Sequence, residues 1–185
     1  PYRHVFMFLM AVAVWNLFGA GVLGFLINLP IVNYYEHGSF LTANHGHGAL
    51  MGVFGMLAIA LALYCVRNVV TDKGYAAKWF RRSFIGLNVG LLGMIVITLT
   101  PVGTLQLLQA ADHGFWSARS LEFYREPEVR ALLIARIVPD LIFIGGGVVP
   151  LLIGFWVAFR NARPATPIEE PVRRELRRLA PPLEV

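Results

Sequence analysis

Two histidines, His45 and His47, stand one residue apart in the run Thr42-Ala43-Asn44-His45-Gly46-His47-Gly48-Ala49. They lie within Gly38–Val66, a stretch that carries no formal charge. Imidazole can ligate a metal, hold a haem iron, relay a proton or act as a hydrogen-bonded packing group. Within a membrane-length apolar stretch such a side chain is a functional candidate by default. The spacing narrows its chemistry. Successive residues of an α-helix are about 100° apart, so positions i and i+2 point roughly 200° apart. One ion cannot readily be shared by both rings on a regular helix, and zinc-type helical pairs use i and i+4 instead. Each ring therefore faces a different neighbour. Gly46 and Gly48 flank the second ring, although glycine costs about 1 kcal/mol relative to alanine inside a helix. Bare backbone there admits a flat macrocycle; with Gly52 and Gly55 it equally suits helix–helix contact. The residues alone leave open two structural histidines, a haem-type axial pair and a proton relay.

Asp140 is the second group with chemistry to offer. Counted from a helix start near Ala131 it lies about 14 Å in, at 1.5 Å per residue. A carboxylate at that depth is protonated, paired or beside water. Arg136, four residues earlier, shares its helix face and is the obvious partner. A structural Arg–Asp pair and a carboxylate that accepts a hydrogen bond from a quinol hydroxyl both fit.

These groups need elements to hold them. The chain has 185 residues, of which 57% are hydrophobic and only 15% charged. A soluble domain carries about 25% charge, and too little polar surface remains here to coat a water-soluble globule. The same numbers exclude a disordered chain. Four stretches reach the roughly 20 apolar residues that a bilayer-spanning helix needs. The expected fold is all-α and integral to the membrane, with four transmembrane helices at about 5–32, 40–67, 80–109 and 131–160. Of the 16 Lys and Arg residues, 12 fall on the N-terminus, the second loop and the C-terminal tail, and four (Arg119, Arg125, Arg130, Arg136) on the other side. That asymmetry predicts both ends cytoplasmic and makes the net charge of +5 a topology signal, with no nucleic acid as partner. Trp79 and Trp156 are expected at the inner interface, and Tyr34, Tyr35 and Trp116 at the outer one. Arg81 and Arg82 read as plain inner-interface anchors. Cys65 stands alone, which excludes an internal disulfide, and its apolar surroundings suit a buried thiol. Glu36 and His37 are expected in a solvated outer loop. Asn16, Asn28 and Asn88 are expected to hydrogen-bond between helices, Asn44 to cap its helix or touch a haem edge, and Pro101 and Pro150 to kink helices three and four. Residues 162–185 read as a Pro/Arg-rich cytoplasmic tail, in which Val172–Leu179 is a solvated end or a short helix on anionic lipid. The chain starts at Pro1, has no recognisable signal peptide and enters a helix almost at once, so a piece of something longer is expected.

The runs Gly24–Gly38 and Thr42–Gly52 resemble the nitric oxide reductases of the haem–copper oxidase superfamily, in particular the single-subunit, quinol-dependent branch. The resemblance extends from about Tyr2 to Phe159. It implies that His45 binds the high-spin catalytic haem b3 and His47 the low-spin haem b. It implies Asp140 as the acid of a quinol pocket, and makes Arg119 and Arg136 candidates for haem propionates. The non-haem iron of such an active site takes three histidines and a glutamate, which this chain does not supply. The iron and the second axial ligand of haem b are therefore expected from N-terminal helices of the same enzyme. The four helices are then part of a larger bundle in a bacterial or archaeal-type inner membrane, inactive alone. Rival readings are a dismutase-like relative, a cytochrome c-fed reductase, and a redox-inert four-helix anchor or assembly module.

Overall fold

The computed structural model describes residues 2–72 and 74–162. Four helices are long and apolar enough to cross a membrane: Arg3–Ile27, Phe40–Val69, Ala77–His113 and Pro127–Arg160. The tail beyond Ala162, including Val172–Leu179, lies outside the described residues.

The expected first span, 5–32, is two helices. Leu29 is extended and Pro30 opens a separate short helix, Pro30–Glu36, because the residue before a proline is driven out of the helical region. The carbonyls left at the end of the first span are covered locally. Asn28 Nδ2 donates to Gly24 O at 2.6 Å and Asn33 Nδ2 to Ile27 O at 3.1 Å. Asn28 is thus a helix-end cap rather than an interhelical bridge. Asn88 does bridge helices, accepting from Trp15 Nε1 at 2.8 Å. The third and fourth spans begin earlier than expected, at Ala77 and Pro127, and the third runs on to His113.

Each span contains a widened, π-helical segment: Asn16–Val22, His47–Gly55, Met94–Leu99 and Ile142–Val148. The last two end just before Pro101 and Pro150, where a proline lacks the N–H of the regular ladder. Such segments are often found at functional sites, and the second one starts on His47.

Glycines set how closely the helices approach. A Cβ on Gly48 would lie 2.5 Å from the Cα of Gly19, so the first two spans meet backbone to backbone. On Gly52 it would meet Trp15, also at 2.5 Å. Gly86 abuts Gly146 in the same way between spans three and four. Gly48 and Gly52 therefore serve helix contact. Gly46 differs: nothing lies within 4 Å of a Cβ placed there. The principal core, including Phe8, Leu63, Phe80, Leu91 and Leu99, joins all four spans, and a smaller cluster of Val102, Phe123 and Val129 closes the other end. Cys65 is exposed on the described chain rather than buried.

Candidate functional site

The N-terminal end of the second span is set by side chains from two directions. Ser39 Oγ caps it, accepting from Leu41 N at 3.1 Å. The N–H of Phe40 donates to Gln106 Oε1 at 2.8 Å. Gln106 is fully buried on the third span, and its amide nitrogen donates to Ala118 O and Tyr124 Oη at 3.1 and 3.0 Å. Those bonds anchor the start of the helix, and with it the level at which the histidines project.

His45 turns toward the first span. Its Nδ1 lies 3.1 Å from Gly19 O, and its ring packs where Gly24 has no side chain, since a Cβ there would be 2.8 Å from Cε1. A carbonyl only accepts, so Nδ1 carries the proton and Nε2 the lone pair. His47 turns the other way. Its Nδ1 lies 2.8 Å from Ala43 O, which assigns the same tautomer, and its Nε2 is 3.2 Å from Nη2 of Arg136 on the fourth span. Asn44 points in a third direction. It does not cap the helix; its Nδ2 donates to Thr100 Oγ1 at 2.9 Å, and its Oδ1 is buried with no partner among the described residues.

Both rings thus have one nitrogen committed to a backbone carbonyl and present Nε2 as a ligand atom. This is how metal-binding histidines are oriented and their basicity raised. With the open side at Gly46, the donor set fits axial ligation on two different sides of one helix.

Arg136 links His47 to Asp140. Its Nε lies 3.3 and 3.4 Å from the two Asp140 oxygens, so the expected Arg–Asp pair is present and continues into the histidine. The helix turn is interrupted at Arg136. Pro139 explains this, because it has no N–H to bond the Ala135 carbonyl. Counted from Pro127, Asp140 lies about 20 Å along its helix, deeper than expected, and the contact with His47 nevertheless brings the two levels together. The lone pair of His47 that accepts from Arg136 is the one an iron would use, so the two are alternatives.

Sequence reading missed the burial of Glu36. It is 1% exposed and accepts from Thr42 Oγ1 at 2.9 Å, which in turn accepts from Gly38 N at 3.1 Å. Gly38 has φ +72°, a conformation side chains disfavour, and it turns the chain back toward Thr42. His37 is exposed as expected. Arg119 lies over the Phe115 ring, 3.4 Å from its centroid, and donates to the carbonyls of Phe115 and His37. Burial pushes its guanidinium below the usual arginine value, opposed by Tyr124 and Glu36. Two of its donors are thereby engaged with the loops. Among the described residues, no three His, Cys, Asp or Glu side chains converge as a metal site.

Residues 2–160 match the family Cytochrome C and Quinol oxidase polypeptide I. The chain belongs to that family, and with it to the haem–copper oxidase superfamily of multi-pass membrane oxidoreductases. It is also 35% identical over 111 residues to a nitric oxide reductase subunit from Stutzerimonas stutzeri. That match takes in 58% of this chain and 23% of the relative, so the chain spans under a quarter of the length of the curated relative it matches.

Proposed function

We propose that this chain is the part of a quinol-dependent nitric oxide reductase that supplies one axial ligand to each of two haems. His45 would hold haem b3 and His47 haem b. The observation that carries the reading is the pair of Nδ1–carbonyl bonds at i and i+2, with the His45 ring turned to the first span and the His47 ring to the fourth. Bound there, the haems would supply electron transfer and the reduction of two NO, with two electrons and two protons, to N2O and water.

The chain's own residues then have separable tasks. The Gly19 and Ala43 carbonyls hold the two imidazoles in the ligating tautomer. Asp140 accepts the hydrogen bond, and then the proton, of a quinol hydroxyl on the side of His47. Arg136 holds that carboxylate in place and carries a positive charge beside the electron-accepting ligand. Arg119 and Arg136 are the guanidinium groups available to haem propionates. The non-haem iron ligands and the second ligand of haem b would come from the enzyme's N-terminal helices. The charge asymmetry supports both ends of this segment in the cytoplasm.

A second reading has one observation in its favour: the matched relative is one subunit of its reductase, which agrees with electrons delivered by a partner such as a cytochrome c. The Asp140 carboxylate, paired with Arg136 on the side of His47, favours quinol. NO consumption by the intact enzyme separates them. Turnover with a reduced quinol, and a raised quinol KM in Asp140→Asn, is the expected result. Turnover with reduced cytochrome c alone would overturn the quinol reading.

A further inference from the structure

At the end of the molecule opposite Glu36, the first and third spans open side by side, at Arg3 and Ala77. A groove of about 520 Å³ lies between them, lined by Arg3, His4, Lys78, Arg81, Arg82 and Ile85. The third span has no acidic residue in its first turn, so its N-terminal dipole adds positive charge to the groove. All four cationic side chains are exposed, and no carboxylate among the described residues pairs with any of them. His4 packs against Tyr75, ring centroids 5.6 Å apart, and closes one wall. Arg82 lies over the indole of Trp79, at 5.3 Å, as expected of groups at headgroup level.

Such a concentration of like charge calls for an anion. The groove also continues into an apolar track. Ile85, Val89, Leu92 and Val96 are all exposed on the third span, at spacings of four, three and four residues that align them along one face. A cationic pocket at the membrane surface with an apolar track running from it into the bilayer has the two chemistries of a phospholipid. Arginine forks suit the non-bridging oxygens of a phosphodiester, and basic pockets between helices are known to take anionic headgroups.

We propose that this groove binds a phosphate group, delivered by an anionic phospholipid whose acyl chain lies along Ile85, Val89, Leu92 and Val96. Arg3 and Arg81 grip the phosphate from two different helices, and Lys78 and Arg82 add charge at its rim. The site thereby ties the first span, whose backbone abuts the histidine helix at Gly19, to the third. Arg81 and Arg82 become ligands rather than plain anchors.

The test is native mass spectrometry of the intact detergent-purified protein, titrated with phosphatidylglycerol, with phosphatidylcholine, or with inorganic phosphate as competitor. The site should retain phosphatidylglycerol over phosphatidylcholine. Arg3→Gln and Arg81→Gln should each weaken retention about fivefold, the effect of about 1 kcal/mol per basic residue near the surface. Arg81→Lys should keep most of the binding. Arg160→Gln removes equal charge at the same end of the molecule but outside the groove, where Arg160 stacks on Trp156; it should change retention less than about twofold. Helical content measured on every variant separates lost binding from lost fold. Equal losses in Arg160→Gln and Arg81→Gln would overturn the site in favour of diffuse surface charge. Equal retention of the two lipids, or displacement of phosphatidylglycerol by millimolar phosphate, would overturn the lipid as its source.

Discussion

His45 and His47 sit two residues apart and are chemically identical, yet the fold holds them by different means. His45 is fixed by packed backbone. Its Nδ1 bonds a carbonyl of the neighbouring span, and its ring occupies the space left by Gly24, beside a helix crossing so close that Gly19 and Gly48 touch. Interiors packed in this way do not deform continuously. His47 is fixed on one side only, by a carbonyl of its own helix. Its other nitrogen meets the end of a long arginine side chain, itself steadied by a half-buried carboxylate. The rigid position suits a ligand at a reacting centre, where small displacements are expensive. The adjustable one suits an electron-transfer centre whose potential is tuned by nearby charge.

The contrast can be broken by substitution. Among changes that keep both histidines, Gly48→Ala and Gly24→Ala should do the most damage, because each puts a methyl into occupied space. Overpacking of this kind costs about 1–3 kcal/mol, read as a lower thermal midpoint of the intact protein. Gly24→Ala should also disturb the high-spin haem proposed at His45 before the low-spin one proposed at His47. Gly46→Ala has free space around it in this chain, so any haem loss it causes would locate a macrocycle edge there; its effect on stability alone should be neutral or favourable by up to about 1 kcal/mol.

Next in size are the charge changes beside His47. Arg136→Gln removes a cation and should lower the midpoint potential of the low-spin haem, because the oxidised form carries the extra positive charge. Asp140→Asn leaves Arg136 uncompensated and should raise it. Shifts on the order of 50 mV correspond to about 1 kcal/mol, the interaction of two unit charges about 15 Å apart at an effective dielectric of about 20, or about 4 Å apart in fully solvated surroundings. Potentiometric titration reads both signs, and the high-spin haem should move less. Shifts of the same sign in the two variants would contradict the separation of roles. The most local effect is expected from Thr42→Val, which leaves the buried Glu36 without its hydroxyl donor. It should cost about 1–2 kcal/mol, seen as faster amide exchange between Gly38 and Thr42 with both haems retained.

Much of this arrangement is legible in the sequence, for local reasons. Span count follows from run lengths, and the opposed histidines from the 100° helical step between residues 45 and 47. The Asp140–Arg136 pair follows from the same periodicity. What escaped depends on distant partners or on backbone detail. Nothing local marks Gly19 as the acceptor for His45, and Arg136 reaches a histidine 89 residues away. Glu36 follows two tyrosines in a connector and reads as solvated, whereas the turn at Gly38 folds Thr42 back over it. The break at Pro30 and the interruption near Arg136 both had signals, since a proline in each run removes a helical N–H. The glycines beside His47 read alike in sequence, but only Gly46 faces open space; Gly48 is a packing contact. The Cys65 thiol lies on an outward face that apolar composition cannot distinguish from a buried one inside a membrane span.

The central claim is that each histidine holds its own haem. It is tested most directly by reduced-minus-oxidised visible spectra with pyridine haemochromogen quantitation on the intact enzyme and on its His45→Ala and His47→Ala variants. The account predicts two haems b per copy in the parent. It predicts selective loss of the low-spin signal in His47→Ala and of the high-spin, ligand-binding signal in His45→Ala. Unchanged haem content and spectra in both variants, with the fold intact, would contradict it.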